Sequence, residues 1–206
     1  FDLLKSMRTL WKENEILRRR SIYQAFLFGS FCLFWTASPL YLASSYFNFD
    51  QKQIALFALA GVTGAIVAPY AGTAADKGKI KQATFLALAI SCLSYIVGHL
   101  FSPGSNSAIV ALVLAAIFLD AGITANLVLG QRSIFSIAED SRSRVNGIYV
   151  ATIFVGGGIG SALGAYTFAK GGWDLSSLIG FVLPFMAFLY FLTERRSKNL
   201  YSFMTR

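Results

Sequence analysis

Long apolar stretches alternate with short polar segments along this chain, and there are six of them. Each is close to the length of about 20 residues that a helix needs to cross the hydrocarbon core of a bilayer, which is roughly 30 Å thick. The stretches lie at residues 21–46, 53–71, 82–101, 107–129, 145–169 and 175–192. We therefore predict an all-α, polytopic membrane protein in which residues 21–192 form a bundle of six transmembrane helices.

The basic residues are divided very unequally between the two sets of connections that these spans create. Lys52 and Lys170 fall on one side, whereas the other 16 of the 18 Lys and Arg residues fall on the opposite side. Basic connections are retained in the cytoplasm, so the sequence predicts that both termini are cytoplasmic. The net charge of +8 lies in short connections beside apolar spans, where we expect it to meet anionic lipid headgroups and not nucleic acid.

Composition argues against most other classes of protein. Hydrophobic residues make up 55% of the chain and charged residues 14%, with a mean hydropathy of +0.58, whereas a soluble domain has about 25% charged residues. Both cysteines lie within predicted spans, which indicates no disulfide framework. The sequence shows no phosphate-binding loop, metal-ligand cluster or nucleophile–base pattern. We therefore expect neither an enzyme nor a bound cofactor or metal.

The two ends of the chain differ from the spans between them. In residues 1–20, Leu3, Met7 and Leu17 recur at helical spacing among charged residues, a pattern typical of a helix on a membrane surface. We predict that this segment is a cytoplasmic amphipathic linker from an upstream half that is absent from this chain. An ordinary amphipathic N-terminus is the alternative. Residues 193–206 are predicted as a cytoplasmic tail.

One carboxylate lies well inside a predicted span. Asp120 is midway between Asn106 and Gln131, and insertion of Asp at the centre of a transmembrane helix costs roughly 2.5–3.5 kcal/mol. Such a side chain is tolerated where it faces a wet cavity, finds a hydrogen-bond donor or carries a proton, and loss of hydration favours the protonated form. We predict that Asp120 handles a proton or a substrate. A purely structural hydrogen bond to a neighbouring helix is the alternative.

Polar and aromatic side chains predict a cavity between the spans. Thr124 and Gln131 follow Asp120 at successive steps of four and seven residues on one helix face, and Asn126 lies off that stripe. Cavity lining and hydrogen bonds between helices both fit these residues. In the first span, the residues that share one face are Gln24, Phe28, Phe31 and Trp35. They are predicted to line the cavity, with packing or lipid contact as the alternative.

Small residues recur at every fourth position in two of the spans. They are Ala60, Gly64 and Ala68 in the second span and Gly156, Gly160 and Gly164 in the fifth. Small side chains at this spacing let helix backbones approach each other closely. We therefore predict helix–helix contact faces at these positions, and such smooth faces also allow neighbouring helices to slide.

The connection between the second and third spans carries a motif. It reads Gly-x-x-x-Asp-Lys-Gly-Lys from Gly72 through Asp76, Lys77 and Gly78 to Lys79. This resembles the Gly-x-x-x-Asp-(Arg/Lys)-x-Gly-(Arg/Lys) signature of the major facilitator superfamily, with one residue fewer before the second glycine. The resemblance implies that these five residues belong to a cytoplasmic gate.

The charges around this connection supply a physical reason for a gate. Asp76 can pair with Arg142 or Arg144, or lie against the positive N-terminus of a neighbouring helix. Such contacts would hold the cytoplasmic side closed and would have to break when it opens. The alternative is that the lysines of the motif only fix the topology and that Asp76 caps a turn.

Further segments resemble the C-terminal half of bacterial drug:proton antiporter-type (arabinose efflux-like) permeases. They are residues 28–36, 57–65, 119–122, 142–149 and 156–161, and the resemblance runs from about residue 3 to residue 193. The fourth span carries Asp120 and no Arg, and the fifth carries glycines and no Pro. This pattern resembles helices seven to twelve of such permeases and not helices one to six.

The resemblance implies a secondary active transporter of the bacterial cytoplasmic (inner) membrane, a multidrug-type antiporter that couples the efflux of small organic or drug-like molecules to protons. Two six-helix halves would rock about a site near mid-membrane, with the first and fourth spans beside the cavity. The partners we expect are membrane lipids, a small-molecule substrate, protons and an N-terminal six-helix half. A half-size transporter acting as a homodimer and a non-transport assembly or sensor subunit are the alternatives.

Overall fold

Helices account for nearly all of the structure, a computed structural model that describes residues 2–136 and 142–196. The helices are α1 (Asp2–Glu13), α2 (Glu15–Ala43), α3 (Gln51–Ala58), α4 (Thr63–Asp76), α5 (Ile80–Val97), α6 (Asn106–Phe135) and α7 (Arg142–Leu192). Two short 3-10 segments, Leu59–Val62 and Thr193–Arg196, follow α3 and α7. Within these described residues there is no β-strand, so the predicted all-α fold is confirmed.

The six predicted spans are present, and the last two of them are the two parts of one long helix, α7. Five helical stretches are long and apolar enough to cross a membrane, and the second of these combines α3, the first 3-10 segment and α4. With 51 residues, α7 would be about 77 Å long if it were straight, more than twice the thickness of a bilayer core. It breaks at Gly171 and Gly172, which have non-helical backbone angles. Its two arms, residues 142–170 and 173–192, therefore provide the fifth and sixth spans.

Side-chain caps decide where several helices begin. Asn14 accepts a hydrogen bond from the Leu17 N–H at the start of α2, and Asp50 and Gln53 form a capping box at the start of α3. Because backbone hydrogen bonding continues beyond the apolar residues, α2 begins at Glu15 and not at residue 21. For the same reason α4 and α6 continue past the apolar stretches predicted at residues 53–71 and 107–129, which shortens the connections that follow them.

The closest contact between helices in the bundle joins α2 and α7. Helix α2 packs along the first arm of α7, where a methyl group on Gly156 would lie 2.9 Å from the Ala25 Cα atom. One helical turn further along, Gly160 packs just as closely on the backbone of Gly29. Gly164 follows another turn later, where a methyl group would lie 2.9 Å from the carbonyl oxygen of Leu33. The glycine repeat of the fifth span thus lies where two helix backbones touch, as small residues in membrane helices allow.

The second span is the least enclosed part of the bundle. Its large apolar side chains Leu56, Leu59, Val62, Ile66 and Tyr70 are all exposed, whereas the interior of the bundle holds apolar residues from α2, α5, α6 and α7. One end of the bundle, where α2 begins and where α4 and α6 end, contains Arg19, Lys77 and Arg132; we call it the basic end. The other end is called the opposite end.

Candidate functional site

The Asp120 carboxylate contacts the main chain of the second span. Asp120 is midway along α6 and only 7% of the residue is exposed. Its Oδ2 atom accepts a hydrogen bond from the backbone N–H of Gly64, the second residue of α4. No cation and no second carboxylate of the described residues contacts Asp120. The carboxylate is therefore buried near the middle of the bundle with a single neutral donor as its partner.

Gly64 lies directly against the side chains of Asp120 and Thr124, which a larger residue would displace. A Cβ atom at this position would lie 2.8 Å from Oδ2 and 3.3 Å from Cγ of Asp120, and it would also collide with the hydroxyl of Thr124. The structure therefore brings together Asp120, Thr124 and Gly64, of which the sequence pattern had placed Gly64 in a packing face only. Ala60 and Ala68, the other two members of that repeat, are half-buried.

Gln24 and Asn126 form a polar pair between α2 and α6. The Asn126 Nδ2 donates to Gln24 Oε1 at 2.7 Å, and Gln24 Nε2 donates to the carbonyl of Ile123 at 3.3 Å. Both side chains are at most 1% exposed. In the structure they form a hydrogen-bonded link between helices, and their contact with a cavity stays a prediction. Gln131, about 16 Å further along α6 than Asp120 at 1.5 Å per residue, is half-buried.

The aromatic residues of α2 form a continuous ladder. Phe28 stacks on Phe31 with ring centroids 5.8 Å apart, and Phe31 meets the edge of Trp35 at 6.1 Å. Trp35 then contacts Phe57 at 5.6 Å and lies against Gly61 in the 3-10 segment of the second span. In the described part of the chain, the buried indole Nε1 of Trp35 has no hydrogen-bond acceptor. The ladder thus reaches the second span three residues before Gly64 and offers one unused donor.

The predicted gate charges are arranged differently from the expectation. Asp76 Oδ1 lies 3.6 Å from Arg132 Nη2 at the end of α6, and both side chains are more than half exposed. Arg144 instead donates to the hydroxyl of Ser6 in α1 at 2.7 Å, and Arg142 is exposed. Arg132 rather than Arg142 or Arg144 is therefore the ion partner of Asp76, because α6 extends through Phe135 and carries Arg132 to the end of α4.

The second glycine of the motif, Gly78, ends the helix before it through its backbone conformation. Gly78 has a φ angle of 68°, in the left-handed region. Its N–H donates to the carbonyl of Ala75, and the N–H of Lys79 donates to that of Ala74, both at 2.9 Å. These two bonds are a Schellman motif, which ends a helix with a glycine just past its cap, here Lys77. A Cβ atom at Gly72 would meet nothing within 4 Å.

A buried charged cluster at the basic end was not predicted. The Arg20 Nη1 donates to the hydroxyl of Thr84 at 2.6 Å, and Nη2 lies 4.0 Å from Glu194 Oε1. Tyr23 donates to Glu194 Oε2 at 2.8 Å, while Arg19 reaches the hydroxyl of Thr193 at 2.9 Å. Residues Arg20 and Glu194 are each 1% exposed. They are 174 residues apart, so no local pattern in the sequence pairs them.

Comparisons with known proteins agree on the family. The profile of the Major Facilitator Superfamily matches residues 8–202. The chain is 32% identical over 182 residues to "Uncharacterized transporter YgaY" of Escherichia coli O157:H7, covering 87% of this chain and 44% of that protein. It is 29% identical over 174 residues to "Probable transporter SCO4007" of Streptomyces coelicolor, covering 84% and 39% respectively. The chain thus spans less than half the length of these relatives. No solved structure matches it significantly.

Proposed function

This chain belongs to the Major Facilitator Superfamily, and we propose that it works as one six-helix half of a secondary active transporter that exports small organic molecules in exchange for protons. The observation that carries this proposal is the isolated, buried carboxylate of Asp120. Relatives named as transporters, each more than twice as long as the matched segment, support the transport role and the presence of a second half.

Proton coupling rests on the surroundings of Asp120. A charged carboxylate inside a membrane helix is unfavourable unless it is paired, solvated or protonated. In the described residues its partner is the neutral N–H of Gly64, and no cation neutralises it. The charged and protonated forms of Asp120 are therefore both accessible, which is the property that a proton carrier needs. Thr124, one turn away, supplies a hydroxyl beside the same carboxylate.

The substrate class follows from the aromatic ladder beside this carboxylate. Phe31 and Trp35 are half-buried, and burial of apolar surface has little directional preference. Such a wall accepts substrates of varied shape. We therefore propose amphipathic, drug-like organic molecules as substrates, held between the ladder and Asp120.

A second six-helix half is the partner that the exposed apolar faces fit. The second span exposes Leu59 and Ile66, and the first arm of α7 exposes Phe154 and Ile159. In transporters built from two repeats, the substrate site lies at the interface between them near mid-membrane. We propose that these faces meet the other half or lipid, and that the basic end faces the cytoplasm of a bacterial cell, with the Asp76–Arg132 pair as part of its gate.

The test is proton flux in everted membrane vesicles that contain the full-length protein. A fluorescent ΔpH reporter is followed while cationic drugs, sugars and amino-acid-like metabolites are added singly. We expect particular compounds to collapse the gradient in the wild type and in Asp174→Asn, whose carboxylate is 85% exposed. Asp120→Asn should abolish this response without reducing the amount of inserted protein.

Two outcomes would contradict the proposal. A full response in Asp120→Asn would exclude this residue from the coupling mechanism. No response to any compound, from well-inserted wild-type protein, would favour a non-transport assembly or sensor subunit. A half-size homodimer is a separate alternative, and crosslinking of two copies of this chain in the membrane would support it.

A further inference from the structure

The second span changes its helical form at the depth of Asp120. Residues Leu59–Val62 form a 3-10 helix between α3 and α4. At such a junction, the backbone hydrogen bonds change from the N–H of residue i to the carbonyl of residue i−3 into bonds to the carbonyl of residue i−4. The amides of Thr63 and Gly64 are therefore both directed at the carbonyl of Ala60. This oxygen also accepts the hydroxyl of Thr63 at 2.8 Å. The Gly64 N–H donates to an acceptor outside its own span, the Asp120 carboxylate.

We propose that this junction is the element that responds when Asp120 gains or loses a proton, and that the Gly64 N–H carries the response. The inference rests on the proposed protonation of Asp120 and goes beyond it by naming the part of the protein that the proton moves. It assigns to Gly64 a positioning role at the site, in addition to close packing.

The strength of the hydrogen bond between the Gly64 N–H and Asp120 depends on the charge of the Asp120 carboxylate. A hydrogen bond to an ionised acceptor is roughly twice as strong as one between neutral groups. From α2, α4, α5 and α7, no charged or titratable side chain of the described residues contacts Asp120. Gain or loss of a proton by Asp120 is therefore the change in charge that occurs next to the Gly64 N–H. Protonation weakens the one contact that draws the N–H away from its own helix.

The change of form would be large enough to move neighbouring groups. Converting four residues from 3-10 to α-helix shortens a span by about 2 Å and rotates its two ends by about 80° relative to each other. Leu59 and Val62 are exposed, so these two side chains do not hold the segment in place. Trp35 lies against Gly61 in the same segment, so the motion reaches the aromatic ladder directly.

Nuclear magnetic resonance can observe the Gly64 amide among few other signals. Thr63–Gly64 is the one Thr–Gly pair in this chain, so labelling with ¹³C-carbonyl Thr and ¹⁵N-Gly selects its amide and those of any Thr–Gly pairs elsewhere in the full-length protein. The full-length protein is studied in lipid nanodiscs, and Thr63→Ser identifies the signal by removing it. We expect the amide proton shift of the wild type to follow the titration of the Asp120 carboxyl carbon. In Asp120→Asn the shift should not depend on pH.

The possible results separate this inference from the proposed function. A Gly64 shift that stays constant while Asp120 titrates would overturn the inference alone. If the vesicle response survives in Asp120→Asn, proton coupling through this residue fails, whatever the amide does. An Asp120 carboxyl that does not titrate while the protein stays folded would overturn both.

A pair of glycine substitutions gives an independent test in the vesicle assay. Gly64→Ala places a Cβ atom 2.8 Å from Oδ2 of Asp120, which displaces the carboxylate from the amide. We expect the pH profile of transport to shift, with inserted protein retained. Gly158→Ala is the matched control because its Cβ atom has nothing within 4 Å, and it should keep the wild-type profile. Identical pH profiles for Gly64→Ala and the wild type would contradict the inference.

Discussion

Two carboxylates of the described residues are buried, and their surroundings are opposite. Asp120, 7% exposed, has the backbone N–H of Gly64 as its partner. Glu194, 1% exposed, accepts the hydroxyl of Tyr23 at 2.8 Å and lies 4.0 Å from the guanidinium of Arg20. Burial is similar for both, but only Glu194 has a buried cation beside it.

The difference shows that compensation, and not burial, decides what a buried charge can do. With Arg20 close by, a proton on Glu194 would remove the attraction between two buried opposite charges, which is unfavourable. A proton on Asp120 removes no such attraction. Glu194 is therefore suited to hold the first and last spans together at the basic end, and Asp120 is suited to change its charge.

Glu194→Gln should have the largest effect on stability. Removing one member of a buried ion pair typically costs about 3–5 kcal/mol. We expect the thermal unfolding midpoint in detergent to fall by several degrees. Glu15→Gln is the control, since it breaks the more exposed Glu15–Arg19 pair, which should contribute no more than about 0.5 kcal/mol. Equal effects of the two substitutions would remove the basis for calling Glu194 structural.

The double substitution Arg20→Met with Glu194→Leu should recover most of that loss. Replacing a whole buried ion pair by apolar residues of similar volume is often neutral or stabilising, although Tyr23 and Thr84 each lose a hydrogen-bond partner here. We expect stability within about 1–2 kcal/mol of the wild type. The same unfolding measurement checks it. A double variant as unstable as Glu194→Gln would show that the charges themselves are needed.

Asp120→Asn should change stability far less than it changes transport. The amide oxygen of Asn can still accept the Gly64 N–H, so the net effect should stay below about 1 kcal/mol. Unfolding midpoints and vesicle flux are measured on the same preparations. A loss of stability comparable to that of Glu194→Gln would instead support the structural alternative for Asp120.

Asp76→Asn should have the smallest effect on stability. Its pair with Arg132 is exposed at 3.6 Å, and exposed pairs contribute about 0–1 kcal/mol. If the pair belongs to the cytoplasmic gate, transport falls although the protein remains in the membrane, and Arg132→Gln has the same effect. Unchanged transport in both variants would leave the pair as a surface contact without a role in gating.

The sequence predicted the architecture well and the interactions incompletely. The six spans and the depth of Asp120 were predicted from hydropathy. The polar pair between Gln24 and Asn126 fits the interhelical alternative that the sequence left open. For Asp76, the ion partner in the described residues is Arg132 and not Arg142 or Arg144, because the extent of α6 and not the spacing of charges places Arg132 nearest.

Hydropathy and the distribution of basic residues are local properties, and they specify the spans and their predicted direction because every apolar helix must satisfy its backbone groups within itself. The contacts between spans are not local. The Gly64–Asp120 bond joins residues 56 apart and the Tyr23–Glu194 bond joins residues 171 apart. Both depend on the rotation of each helix about its axis and on how closely two backbones approach. Packing of the whole bundle sets these quantities, so only the tertiary structure could distinguish a lone carboxylate from a paired one.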